Sequence, residues 1–90
     1  MEIHHYTISI SGRVQGVGFR YTAQRMARGY GLKGFVMNRY DGSVYIEAEG
    51  SLNQLTKFVD WCKIGPPHSR VDTITFNIES LKNYTGFDIR

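Results

Sequence analysis

Cysteine is almost missing from this chain. Cys62 is the only one in 90 residues, so no intrachain disulfide can form and the fold must rest on its core, as suits a reducing compartment. It recurs with Leu52, Leu55, Phe58 and Val59 at helical spacing, which predicts a buried thiol. No apolar run approaches the ~20 residues of a membrane span. The N-terminus, Met1-Glu2-Ile3-His4-His5-Tyr6, lacks the basic and apolar regions of a secretory signal, so a cytoplasmic protein away from membranes is expected. Charge runs are absent too. The 11 basic and 8 acidic residues are spread along the chain, and a net charge of +3 favours a small anionic partner but falls short of a nucleic-acid footprint. There are no repeats, linkers or low-complexity tracts, and residues 1–90 are read as one domain whose site must be shallow. Metal chemistry lacks its ligands. His4 and His5 are adjacent on a strand and point to opposite faces, His68 lies in a Pro-rich loop, and all three are expected on the solvated surface.

Periodicity is plentiful. Tyr6, Ile8 and Ile10 alternate with Thr7, Ser9 and Ser11 in a half-buried strand ending at Gly12. Phe19, Thr22, Ala23, Met26, Ala27 and Tyr30 then mark one face of a helix that stops at Gly29 or Gly31. A second strand covers Lys33 to Tyr40, Asp41-Gly42 is a hairpin turn, and Val44, Ile46 and Ala48 alternate with Tyr45, Glu47 and Glu49 in a third. Ser51 and Gln54 form a capping box for a second helix, which ends before Gly65-Pro66-Pro67. Ile74, Phe76 and Ile78 share a face of a fourth strand, and Gly86 to Arg90 makes a short last one. This βαββαβ order with a tail predicts an α+β fold, a ferredoxin-like α/β sandwich whose antiparallel or mixed sheet carries both helices on one face.

Between the first strand and first helix runs Gly12-Arg13-Val14-Gln15-Gly16-Val17-Gly18-Phe19-Arg20. Glycines allow positive φ and let several N–H groups converge, and a helix N-terminus adds unpaired donors and partial positive charge. Arg20 stands at the unfavourable end of the helix dipole, a conflict that a bound anion would relieve. A right-handed crossover makes strands one and two parallel, with strand three between or beside them, so Asn38 reaches the same sheet edge as this loop. The loop has no lysine of the P-loop kind and no Cys, Ser, His, Asp or Glu to act as a nucleophile. Such a site suits substrates whose chemistry is already easy. An acyl phosphate qualifies, because its carboxylate leaving group has a pKa near ~4 and departs without protonation. Backbone N–H groups of Gln15, Gly16, Val17, Gly18, Phe19 and Arg20, with the Arg20 guanidinium, would bind the phosphoryl oxygens while Asn38 orients a water in line.

These residues, with Gly31-Leu32-x-Gly34-Phe35-Val36-x-Asn38, Asp41-Gly42-Ser43-Val44, Ala48-Glu49-Gly50 and Gly65-Pro66-Pro67, resemble the acylphosphatase family over nearly the whole chain. The resemblance implies a small, cytosolic, monomeric enzyme without metal or other cofactor, acting on acyl phosphates such as acetyl or carbamoyl phosphate, with inorganic phosphate or sulfate as simple site ligands. It also implies that Arg20 binds phosphate and Asn38 positions the water. Phe35, Met37 and His68 depart from the family's usual residues, which bears on the acyl pocket. Arg90 is a candidate to close on the loop, as a terminal arginine does in some relatives. Two other readings compete. Lys33-Gly34-Phe35 begins like the octapeptide of an RNA-recognition motif, but Met37 and Asn38 break the pattern. The other is an acylphosphatase-like domain of a larger carbamoyl-transfer protein.

Overall fold

Both periodicities are realised in the computed structural model, which describes residues 2–90. The elements are β1 (His4–Arg13), α1 (Phe19–Gly29), β2 (Lys33–Asn38), β3 (Val44–Gly50), α2 (Leu52–Cys62), β4 (Arg70–Glu79) and β5 (Phe87–Ile89). They form one five-stranded sheet in the order β4-β1-β3-β2-β5. Its pairs are antiparallel except β2 with β5, which is parallel, so the sheet is mixed. The fold is α+β and ferredoxin-like, with two helices packed on this sheet. Because β3 lies between β1 and β2, those two run in the same direction and end at the same edge.

The core lies between sheet and helices. Tyr6, Ile8 and Ile10 face it from β1 and Ile46 and Ala48 from β3, while α1 inserts Phe19, Ala23 and Ala27. Alanines at successive turns let α1 approach the sheet closely. The helix ends as its glycines predict: Gly31 takes φ 78, and the N–H groups of Gly31 and Leu32 bond back to the carbonyls of Arg28 and Ala27. At the start of α2, Ser51 N–H donates to Gln54 Oε1 at 2.8 Å and Gln54 N–H to Ser51 Oγ at 3.2 Å, completing the capping box. Its buried stripe is Leu55, Phe58, Val59 and Cys62, and burial pushes the Cys62 thiol pKa up.

Several expectations need correction. β2 stops at Asn38 instead of Tyr40, because Asp41 Oδ1 accepts from both Ser43 N–H and Ser43 Oγ and draws residues 39–43 into a turn. Leu52 is exposed at the first position of α2, although Leu55 and Val59 on the same helix face are buried. Phe76 and Ile78 do share a face, but β4 is an edge strand and both stay exposed. The largest departure is His5, which is fully buried where a solvated histidine was expected. Its Nδ1 lies 2.6 Å from Glu49 Oε2 and its Nε2 3.0 Å from Glu47 Oε1, the latter contact off-line for a hydrogen bond. Residues 80–86 cross the sheet face opposite the helices and cover this cluster. The N–H groups of Lys82 and Tyr84 donate to Glu49, and Tyr84 Oη donates to Glu47. His4, half-exposed beside Glu2, and the exposed His68 lie nearer expectation.

Candidate active site

The loop after β1 is shaped by glycines with different duties. Gly12, at a bulge in the β1–β4 pairing, has φ 131, and a Cβ there would collide with the Arg70 carbonyl oxygen. Gly16 and Gly18 have φ 74 and φ 78, and a methyl group on either would have nothing within 4 Å, so only backbone conformation demands glycine. Gly18 caps α1 with no side-chain bond. From Gln15 to Tyr21, the N–H groups donate to no protein acceptor among the described residues; the first bond of the helix runs from Thr22 N–H to the Gly18 carbonyl at 3.0 Å. A row of free donors therefore surrounds the start of α1.

Arg20 adds full charge to this row. It is exposed, makes no ion pair among the described residues, and has no acidic neighbour in the first turn of α1. Asn38, at the end of β2, comes to the same place. Arg20, Gly16, Gly18 and Asn38 line one cavity of about 220 Å³, floored by Val14 and Phe19. Asn38 Oδ1 is buried there and has no hydrogen-bond partner. A buried acceptor left unpaired costs about 1–3 kcal/mol, so this oxygen is poised for a donor from a ligand or a water. The cavity presents amide donors, a guanidinium and one amide oxygen, with no carboxylate or imidazole lining it. It can bind an anion with three or more oxygens and orient a small donor beside it.

The structure divides the remaining expected residues. Gly16, Gly18 and Phe19 line the cavity with Arg20, whereas the Val17 side chain packs on the core and Gln15 faces an adjoining groove. The Gln15 side chain has a task that its sequence position did not reveal. Its Nε2 donates to the carbonyls of Arg39 at 2.7 Å and Ser43 at 2.9 Å, tying the loop to the turn beyond Asn38. No local pattern signals a contact 24 and 28 residues away. Arg90 does not close on the loop. Its N–H pairs with the Val36 carbonyl, and its guanidinium lies 3.9 Å from the centroid of Phe35, on the far face of the sheet. The same contact, with Tyr45 and Tyr84, leaves Phe35 5% exposed, so it offers no stacking platform to a base.

Comparison with known proteins agrees with this geometry. The family profile described as acylphosphatase matches residues 6–89. Over 83 residues the chain is 43% identical to the acylphosphatase of Thermotoga petrophila, covering 92% of each. The crystal structure of acylphosphatase from Bacillus subtilis superposes with a TM-score of 0.95 at 44% identity, covering 99% of both chains. Full-length HypF, solved in a phosphate- and nucleotide-bound form, matches with a TM-score of 0.89 at 36% identity, covering 99% of this chain and 12% of that one.

Proposed function

This chain belongs to the acylphosphatase family and is an enzyme that hydrolyses a small-molecule acyl phosphate; from its site we propose how it does so. The phosphoryl group sits in the cradle of residues 15–20. Its oxygens take hydrogen bonds from the free backbone N–H groups and from the Arg20 guanidinium, which meets the charge spread over them in the transition state. Asn38 Oδ1 accepts one hydrogen of a water and turns the water's lone pair toward phosphorus. As the new P–O bond forms, the bond to the acyl oxygen breaks, the carboxylate leaves with the electron pair, and the water's proton passes to the phosphate product. No acid is needed for a leaving group with pKa near ~4.

The observation that carries this reading is the buried, unpaired Asn38 Oδ1 in the cavity that Arg20 lines. A cavity with no carboxylate or imidazole lining supports catalysis without a metal. The enzyme works as a monomer in the cytoplasm, and phosphate or sulfate competes for the cradle. A domain of a larger HypF-like protein is the less favoured reading: similarity to the Bacillus subtilis enzyme is higher, at 44% against 36% identity. The test is acetyl phosphate hydrolysis with chelator present. Loss of one preorganised donor typically slows such reactions by about 10²–10³-fold, and Arg20→Ala and Asn38→Ala should each lower kcat/KM by at least that factor. Wild-type turnover in either variant would refute its role, and loss of activity on chelation would refute the metal-free mechanism.

A further inference from the structure

The site is built from two pieces of chain that the sheet does not join. The cradle follows β1 and Asn38 ends β2, but β3 lies between those strands, so their backbones stand two spacings of about 4.8 Å apart and share no ladder bond. Among the described residues no backbone hydrogen bond runs between residues 14–21 and residues 38–43. Yet the reaction depends on that gap. In-line attack sets a water held on one side against a phosphorus held on the other, and a misplacement of about 1 Å can slow such a step by about 10²-fold.

The Gln15 side chain makes the only hydrogen bonds that cross the gap among the described residues. Its Nε2 carries two hydrogens, which go to the carbonyls of Arg39 and Ser43 at 2.7 and 2.9 Å. Both carbonyls already have a partner inside the turn: Gly42 N–H donates to Arg39 at 3.2 Å and Arg39 N–H to Ser43 at 2.9 Å. Gln15 therefore uses their second lone pairs, and the turn closes without it. That turn is tied to the sheet by other means. The Arg39 guanidinium lies 4.1 Å from the centroid of Tyr45 on β3 and donates to Ser9 Oγ on β1 at 3.4 Å. The loop is held in the core at Val14 and Phe19, each 1% exposed, but its N–H groups from Gln15 onward bond to nothing in the protein. The Gln15 amide is thus a strut between a fixed turn and a loop with few bonds of its own. Its side chain stays out of the cradle cavity and lines the groove behind Asn38, so it reaches the substrate only through that residue.

We infer that the Gln15 side chain is a positioning residue, which braces the loop against the turn and so sets the distance and angle between the phosphoryl cradle and the water on Asn38. The inference rests on the role proposed for Asn38. The Gln15 backbone N–H serves the cradle whatever side chain it carries, so bracing and phosphate binding can be measured separately.

The experiment is a double-mutant cycle on acetyl phosphate hydrolysis with wild type, Gln15→Met, Asn38→Ala and the double variant, each assayed well below its own melting temperature. Gln15→Met keeps the length and apolar stem and removes both donors. It should lower kcat by about 10- to 100-fold, with KM and inhibition by inorganic phosphate at their wild-type values. Added to Asn38→Ala it should lower kcat no further, because the residue it acts through is already gone. Gln15→Glu, nearly the same shape, loses the donors and sets carboxylate oxygens against the two carbonyls, so it should lose at least as much and serves if Gln15→Met fails to fold. An unmoved kcat in both variants, or a loss as large on top of Asn38→Ala as in the wild type, overturns the positioning role. Phosphate inhibition that weakens in step with kcat overturns it too, since the side chain would then be holding the cradle itself together. Wild-type turnover in Asn38→Ala overturns the role of Asn38 instead, a failure read from a different variant.

Discussion

Gly12 and Gly18 bound the same loop and look equivalent in the sequence, yet their environments predict opposite phenotypes. At Gly12 a methyl group would collide with the Arg70 carbonyl oxygen, so Gly12→Ala must push β1 and β4 apart. At Gly18 there is open space, and alanine meets only the left-handed backbone penalty of about 1–2 kcal/mol. Relief of that strain would rotate the N–H groups at the start of α1 out of the cradle. Gly18→Ala is therefore expected to lower kcat/KM at least tenfold while thermal unfolding shifts by less than in Gly12→Ala, which should lose stability first. Parallel activity and thermal-melt measurements on the two variants check this. Neither the sequence nor its glycine count separates the two duties, because what separates them is the carbonyl of Arg70, on a strand far downstream of Gly12.

The helices were legible from their own residues because caps and periodicity are local. Ser51 and Gln54 satisfy each other's donors within one turn, and α2 begins there in the structure as the capping box requires. Replacing such a cap typically costs about 1 kcal/mol, so Ser51→Ala should lower Tm by about 4–8 °C with kcat/KM for acetyl phosphate unchanged, as α2 contributes nothing to the cavity lining. A larger loss in activity than in stability would show that α2 supports the site in some way its position does not indicate. Strand faces were less legible. Alternation correctly gave the inward row of β3, but it carries no sign that Glu47 and Glu49 in the other row are buried as well. Alternation separates the two faces of a strand; it does not say whether a distant segment covers the second one.

That covering segment gives the molecule a pH dependence. Burial opposes charge on Glu49, but the Lys82 N–H, the His5 ring and the Tyr84 N–H outweigh it and hold its carboxyl below the ordinary glutamate value of 4.5. Glu47 is likewise held low, with burial offset by the Tyr45 and Tyr84 hydroxyls and by His5. A carboxylate whose pKa is depressed on folding stabilises the fold above its unfolded value, and that contribution is lost as pH falls through the folded one. Stability should thus decline below pH 4.5. In Glu49→Gln the decline should be shallower, the variant being less stable than wild type at neutral pH and converging on it in acid. Chemical denaturation across pH 3–7 measures this, and curves that stay parallel would exclude the linkage.

Element type, caps, the glycine loop and the arginine that opens α1 followed from the chain alone, since backbone preference, dipole and hydrophobic period act over a few residues. The meeting of Asn38 with that arginine followed from one rule of chain crossover added to the element order. The burial of His5 between two glutamates, the reach of Gln15 to the β2–β3 turn and the turning of Arg90 onto Phe35 did not follow. Each depends on which remote segment lies against a face, and only packing in three dimensions, where surfaces compete for the same water to exclude, decides that.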